Sequence, residues 1–143
     1  MRRLFLDANV IFTAAHNPSG KAALLIEIAA LLPWQIVTSR LAEEEVRRNL
    51  ENKYPQSLPR LAMILAQMDI IPGGEGLNCP LDLPTKDRPI FEAALLSGAT
   101  HLLTGDIRHF GPHMNMPEKT SDITVQTVAD FFRDLKEEPQ PGP

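Results

Sequence analysis

Residues 4–10 read LFLDANV, and residues 101–106 read HLLTGD. Each segment is an apolar run that ends in a carboxylate, Asp7 in the first and Asp106 in the second. Short apolar runs bounded by turn signals are typical of strands buried in a parallel sheet. Open α/β sheets carry their chemistry at the carboxyl ends of such strands. We therefore expect both aspartates to meet at one edge of a sheet, where two acids favour a metal site.

The remainder of the chain alternates between strand and helix patterns. We predict strands at residues 3–7, 34–38, 69–71, 100–104 and 123–125, and helices at residues 22–32, 40–53, 58–68, 87–97 and 128–135. Ser39 is a typical N-cap for the second of these helices, and Pro55 follows its end. Residues 72–86 contain three glycines and three prolines, which predicts an exposed loop. The alternation indicates a parallel sheet with helices on both faces.

Length and composition are those of a single globular domain. The 143 residues are 43% hydrophobic and 22% charged, and we assign residues 1–136 to one domain and residues 137–143 to a disordered tail. The net charge of −4 argues against tight non-specific binding of nucleic acid over the whole surface, although a local basic patch is compatible with it. No apolar stretch approaches the roughly 20 residues of a membrane span, and no signal-peptide pattern is present, so we expect a cytoplasmic protein without a membrane partner.

Three consecutive glutamates occupy residues 43–45. The apolar residues of their predicted helix define its inward face, and they are Leu41, Ala42, Val46 and Leu50. Glu45 falls on this face, whereas the other two glutamates can pair with arginines four residues further on. A carboxylate on an apolar face is costly unless it binds a cation, so Glu45 is the candidate ligand. The alternative is that all three glutamates belong to the solvated surface of the helix.

Asp87 begins a predicted helix, where aspartate is commonly an N-cap. Asp7 and Asp106 can likewise cap short helices that follow their strands. A functional interpretation is favoured by the set, because Asp7, Glu45, Asp87 and Asp106 all lie at strand ends or helix starts that converge on one edge in this topology. Clustered carboxylates repel one another unless a cation neutralises them, and hard divalent ions prefer oxygen ligands. The set therefore predicts a divalent-metal site.

In order and spacing, three parts of the chain resemble the PIN-domain nucleases. They are DANV at residues 7–10, the helix with Glu45, and DRPIFEAALLSGATHLLTGD at residues 87–106. The resemblance extends from residue 3 to about residue 135. It implies a three-layer α/β/α sandwich around a central, mostly parallel, Rossmann-like sheet. The matched positions imply that the catalytic and metal-binding residues are Asp7, Glu45, Asp87 and Asp106, with Asn9 and Thr104 as supporting polar groups.

The same resemblance implies an activity and a set of partners. It implies a divalent-metal-dependent endoribonuclease, with Mg²⁺ or Mn²⁺ as the cofactor and RNA as the substrate. Such an ion activates a water for attack on phosphorus and stabilises charge on the phosphoryl oxygens. Products with 3′-hydroxyl and 5′-phosphate ends are expected. Small proteins of this family often act as toxins that an antitoxin protein holds inactive, so an antitoxin is a further expected partner.

Basic residues near the acids are candidates for contacts with substrate phosphates. Arg88 and Arg108 flank two of the acids, and Arg40 begins the helix that carries the three glutamates. His109 and His113 have the spacing of a metal-binding pair. The Gly-Pro sequence between them breaks any helix, which argues against a zinc site.

Two other functions share parts of this pattern. A PIN-like fold can persist as a catalytically silent module that binds nucleic acid or protein, although four candidate acids argue against that interpretation. A phosphotransferase with Asp7 as its nucleophile would resemble the haloacid dehalogenases. Their pattern has a second aspartate where this chain has Asn9, and another where it has Phe110.

The predicted helix at residues 58–68 has a continuous apolar stripe formed by Leu61, Ile64, Leu65 and Met68. An exposed stripe of this kind could serve a homodimer or an antitoxin contact. Packing of the same residues in the core explains the pattern equally well.

Overall fold

A computed structural model describes residues 1–138 of the chain. Within that range the five strands are β1 (Arg3–Leu6), β2 (Gln35–Ser39), β3 (Asp69–Ile71), β4 (His101–Leu103) and β5 (Thr124–Gln126). The α-helices are α1 (Ala8–His16), α2 (Lys21–Leu31), α3 (Arg40–Lys53), α4 (Leu58–Leu65), α5 (Arg88–Leu96), α6 (Ile107–Phe110) and α7 (Val128–Glu137). Single-turn 3₁₀ helices lie at Pro55–Ser57, Gly111–His113 and Pro117–Lys119.

The strands form one parallel sheet in the order β3-β2-β1-β4-β5. The chain leaves β1 in one direction to build β2 and β3, and it later returns to the other side of β1 to add β4 and β5. The boundary between β1 and β4 is therefore the point where the strand order reverses, which is where open α/β sheets leave a crevice for ligands. The prediction of a three-layer α/β fold with a central parallel sheet is confirmed.

Burial of β1 on both faces explains why its sequence is a continuous apolar run. Leu4, Phe5 and Leu6 are each 0% exposed, and Leu102 and Leu103 of the neighbouring β4 are equally buried. Helix α5 contacts β2 and β4 and thus crosses the β1 strand between them, while α1 packs against α2, α3 and α4. A strand that is covered on both faces carries apolar side chains along its whole length. The first polar side chain therefore appears where the strand ends.

The predicted bounds of α3 and β3 are confirmed, and the other predicted elements differ from the structure by one to three residues. The predicted strands at residues 34–38 and 123–125 begin and end one residue later, and α4 ends at Leu65 where the prediction continued to residue 68. Helix α1 was anticipated only as a short capped turn, yet it has nine residues. The helix is difficult to predict because five of its nine residues are buried, which leaves few polar residues to mark a solvent-exposed face.

The predicted exposed loop at residues 72–86 is partly buried. Leu81, Leu83 and Cys79 are each less than 10% exposed and belong to the core. Two polar side chains of α5 fasten the loop: Arg88 donates to the carbonyl oxygens of Gly76 at 3.2 Å and Cys79 at 3.1 Å, and Glu92 accepts from the Asn78 N–H at 3.0 Å. The glycine and proline content therefore reflects a tightly shaped segment packed onto α5.

The apolar stripe of residues 58–68 is part of the core. Leu61 is 0% exposed, and Ile64, Leu65 and Met68 are all below 10%. Their proposed role in a homodimer or antitoxin contact is wrong, because these side chains are covered by the protein itself.

The end of the described range bears on the predicted tail. Glu137, which the prediction assigned to the tail, is the last residue of α7, and residues 139–143 lie outside the described residues. Among the residues that are described, no helix combines the length and apolar character needed to cross a membrane.

Candidate active site

Four acids from four different elements line one cavity of about 440 Å³. Asp7 directly follows β1 and Asp106 lies three residues beyond the neighbouring β4, so the parallel pairing of these strands brings them to the same edge. Asp87 precedes α5, and Glu45 projects from α3. The structure thus brings together the four acids that the sequence singled out.

Asp7 is the most buried of the four, at 6% exposure. Its Oδ1 accepts a hydrogen bond from the Ala8 N–H at 2.8 Å, and its Oδ2 accepts from the Thr104 hydroxyl at 2.8 Å and from the Asn9 amide at 3.3 Å. Burial raises the pKa of Asp7 to about 6, against the lowering effect of the Thr104 and Ala8 hydrogen bonds. The negative charges of Glu45 and Asp87 raise it further. A bound cation would remove this penalty.

Asn9 and Thr104 connect the ends of β1 and β4. The Asn9 amide oxygen accepts from the Gly105 N–H at 2.7 Å, and the Thr104 hydroxyl oxygen accepts from the Asp106 N–H at 3.1 Å. A Cβ atom on Gly105 would lie 3.3 Å from that Asn9 oxygen, so the backbone approaches closely here. Both predicted supporting residues therefore contact Asp7 and also fix the turn that carries Asp106.

His109 joins the other two aspartates. Its Nδ1 lies 2.8 Å from Asp106 Oδ2 and 3.0 Å from Asp87 Oδ2. Only the first contact has hydrogen-bond geometry, so Asp87 Oδ2 is a buried oxygen without a hydrogen bond. Burial raises the pKa of Asp87, as does the charge of Asp106, while His109 and Lys86 act in the opposite direction.

The role of His109 was not predicted. Its spacing in the sequence suggests a pair with His113, but the Nε2 atom of His113 contacts the Asp82 carbonyl oxygen at 3.1 Å. The available signal was local: His109 lies three residues after Asp106, and the Asp106 carboxylate also caps α6 by accepting from the His109 N–H at 3.1 Å. That spacing places the imidazole above its own N-cap.

Glu45 lines the cavity, but it is exposed and does not lie on a buried apolar face as the helical pattern predicts. Leu41 was assigned to the inward face, but it is 46% exposed and lines the cavity with Glu45. Glu43 forms the expected i,i+4 pair with Arg47 at 3.9 Å. No ion pair between Glu44 and Arg48 occurs among the described residues, and Arg48 lines the cavity instead.

The basic residues at the cavity differ from those expected. Arg48 and Lys86 line it. Arg88 is bound to the carbonyl oxygens of the loop at residues 72–86, so its guanidinium group has a structural role and does not line the cavity. Arg40 and Arg108 are exposed and lie outside the lining residues.

The donor set fits a divalent cation. One ligand atom each from Asp87, Asp106 and His109 lie within 4.8 Å of one another, and Asp87 also has a buried oxygen without a hydrogen bond. Asp7 and Glu45 line the same cavity and add two further carboxylates outside this cluster. Carboxylate oxygens suit Mg²⁺ and Mn²⁺, and the imidazole is compatible with Mn²⁺.

Comparison with known proteins gives a fold and no close relative. No family model and no curated protein matches the chain. A solved structure, VapBC2 from Rickettsia felis bound to a DNA fragment from its promoter, contains a chain that is 16% identical, with a TM-score of 0.64 over 87% of this chain and 98% of that one. A chain in VapBC-1 from nontypeable Haemophilus influenzae is 18% identical, with a TM-score of 0.60 over 89% of this chain and 98% of that one. These likenesses confirm the PIN-domain fold that the sequence resemblance implies.

Proposed function

Starting from a PIN-domain fold with four acids at the switch point of its sheet, we propose that the protein is a divalent-metal-dependent endoribonuclease. The observation that carries the proposal is the convergence of Asp7, Glu45, Asp87 and Asp106 on a single cavity. A buried pair of aspartates with raised pKa values is typical of sites where function outweighs stability.

Asp7, Asp87 and Asp106 would hold the ion, with Glu45 completing the site or orienting the attacking water. When bound, a divalent ion supplies an activated water and stabilises charge on the phosphoryl oxygens. Thr104 and Asn9 fix the Asp7 carboxylate through their hydrogen bonds. Thr104 also accepts from the Asp106 N–H, so one hydroxyl couples the two strand-end acids.

His109 and the basic wall have separate tasks in this proposal. The Nδ1 atom of His109 lies within 3.0 Å of one oxygen from each of Asp87 and Asp106. It holds Asp87 and Asp106 close to each other when no cation does so. Arg48 and Lys86 line the cavity and supply positive charge for substrate phosphates, and we propose the exposed Arg40 and Arg108 for more distant phosphates.

The direct test is cleavage of a panel of end-labelled RNAs, both single-stranded and structured, by the purified protein. We expect internal cuts in Mn²⁺ or Mg²⁺ that leave 5′-phosphate and 3′-hydroxyl ends, and no cuts in excess EDTA. Cleavage that persists in EDTA would point to a contaminating nuclease or to another mechanism. An intact panel in every metal tested, combined with binding of RNA or protein, would favour the catalytically silent module.

We further propose that the protein acts as the toxin of a toxin-antitoxin pair, with the antitoxin as its protein partner. The support is the likeness to chains of VapBC complexes over nearly their whole length. A phosphotransferase role for Asp7 has no comparable support, because Asn9 binds Asp7 and Phe110 is fully buried where that chemistry would require further acids.

Expression of the wild-type chain alone in a bacterial host should slow growth, and expression of Asp7→Asn at the same level should not. The physical reason is that the amide removes a charge from the ion site while it keeps the shape of the side chain. Growth curves after induction, with protein levels checked on a blot, measure the effect. Equal growth of the two cultures would contradict the toxin role and leave the nuclease proposal to the cleavage assay.

A further inference from the structure

A second cavity adjoins the acidic one. Its volume is about 240 Å³, and its lining residues are Ala8, Asn9, Phe12, Glu45, Asn49 and Lys53. Asn9 and Glu45 also line the acidic cavity, so the two spaces meet at these residues. Any chain that passes a phosphate across the acids can therefore place its next unit in the second cavity.

Two helical stripes form the walls of this second cavity, which we call the α1-α3 groove. On α1 the stripe passes through Asn9 and Phe12, and His16 continues it beyond the lining residues. On α3 the stripe follows i, i+4 and i+8 spacing, through Glu45, Asn49 and Lys53. Side chains at these spacings share one face of a helix. At about 1.5 Å per residue, the α3 stripe runs roughly 12 Å from the acids towards Tyr54.

Aromatic rings are concentrated at the far end of the groove. The Phe12 centroid lies 4.9 Å from that of His16 and 5.9 Å from that of Tyr54. The His16 and Tyr54 rings are stacked, with centroids 4.7 Å apart. Tyr54 is 38% exposed and Phe12 is half-buried, so both rings retain some accessible surface.

Polar chemistry surrounds these rings. The Lys53 ammonium nitrogen is 5.8 Å from the Phe12 centroid, and the Asn49 side-chain amide faces the same cavity. Glu45 is the single acid among the lining residues, and it lies at the end shared with the acidic cavity. A ring to stack on, an amide and a flexible cation are the groups that bind an unpaired base and its phosphate.

Resting on the proposed ribonuclease function, we propose that the α1-α3 groove is a subsite for one unpaired nucleobase next to the phosphodiester that is cut. Phe12 provides the stacking surface inside the groove, and Tyr54, which contacts Phe12 from outside the lining residues, supports it. Asn49 contacts the edge of the base, and Lys53 moves from Phe12 to the flanking phosphate. The cavity is smaller than the roughly 300 Å³ at which drug-sized sites begin, which suits a single ring system. The subsite makes the enzyme specific for single-stranded RNA.

The test compares the wild type with Phe12→Leu and Tyr54→Ala, using Phe132→Leu as a matched control. Phe132 is also a half-buried phenylalanine on a helix, but it belongs to α7 and lines a different cavity. The probe is a single-stranded RNA hexamer that carries one 2-aminopurine, placed at each position in turn. Stopped-flow mixing in Mn²⁺ follows the fluorescence quench caused by stacking before the strand is cut.

We expect one position of the hexamer to be quenched by the wild type and by Phe132→Leu. Phe12→Leu and Tyr54→Ala should bind about tenfold more weakly, lose that quench, and raise KM more than they lower kcat. Melting curves identify a variant that has lost its fold. If Phe12→Leu is unstable, the comparison relies on Tyr54→Ala, because Tyr54 is exposed.

Two results would overturn the inference, and they are distinguishable. If the wild type cuts RNA in a metal-dependent manner but both groove variants match it in affinity and quench, the base does not occupy this groove. If neither the wild type nor Phe132→Leu binds or cuts any RNA, the ribonuclease function itself fails and the subsite fails with it.

Discussion

Replacing Asp106 or Asp7 with asparagine should lower the single-turnover rate of RNA cleavage by about 1,000-fold, because each change removes one negative charge from the ion site. Asp106 is the acid that lies three residues beyond β4, and its backbone N–H is held by Thr104. Asp7 is the acid with the strongest burial and three hydrogen bonds. No neighbouring side chain can replace the lost carboxylate, because the remaining acids of the site already line the same cavity.

The matched control for these variants is Glu44→Gln. Glu44 is exposed on the same helix as Glu45 but is not among the residues that line the cavity. The Glu44→Gln substitution removes the same charge from the protein as a whole. We expect its rate of RNA cleavage to stay within about twofold of the wild type, since exposed charges are screened by salt. Single-turnover rates in Mn²⁺ on the best RNA of the panel measure all three variants. An Asp106→Asn protein that cuts at the rate of Glu44→Gln would show that the acidic cavity is not the catalytic site.

The second large effect concerns stability without metal. In EDTA the melting temperature should fall as the pH rises from 4.5 to 7.5, by roughly 6 °C. The folded protein holds the Asp7 proton up to a pKa of about 6, whereas the ordinary pKa of an aspartate in the unfolded chain is 3.8. Between these values the folded state binds more protons than the unfolded state, so the free energy of unfolding decreases with pH, by about 3 kcal/mol in full. Asp87, whose pKa is also raised, acts in the same direction.

Two comparisons isolate this effect by differential scanning fluorimetry. Asp7→Asn, which cannot ionise, should melt with a smaller pH dependence than the wild type. Saturating Mn²⁺ should raise the melting temperature of the wild type more at pH 7.5 than at pH 4.5, because the ion favours the ionised carboxylates. If the melting temperature of Asp7→Asn in EDTA depends on pH as strongly as that of the wild type, ionisation of Asp7 is not the cause of the pH dependence.

The location of the acids could be predicted because it follows from backbone topology. An apolar run that ends in Asp7 and another that ends close to Asp106 are local signals, and parallel pairing of two such strands leaves their ends at one edge. Glu45 could also be selected, since helical periodicity excludes its two neighbours. Ala42, Val46 and Leu50 define the buried face of α3, but Leu41 and Glu45 are both exposed, so the role of Glu45 as a ligand stays a prediction.

The residues that the sequence did not reveal depend on how distant segments meet. The contact between His109 and Asp87 brings α6 next to the start of α5, although 21 residues separate these two side chains in the sequence. Arg88 looked like a phosphate ligand because it follows Asp87, but its direction is set by the loop carbonyls of Gly76 and Cys79. Neither contact has a periodic or compositional signal, so only the folded structure shows them.

The central claim is that the acidic cavity is a divalent-metal centre, and Mn²⁺ binding tests it without knowledge of the RNA target. Electron paramagnetic resonance measures the free Mn²⁺ that remains when the wild type, Asp106→Asn or Glu44→Gln is titrated with the ion at pH 7.5. We predict that the wild type and Glu44→Gln remove Mn²⁺ from solution with the same affinity, and that Asp106→Asn binds at least about tenfold more weakly. Free Mn²⁺ that is unaffected by the wild-type protein, or affected equally by all three proteins, would contradict the assignment of this cavity as a metal centre.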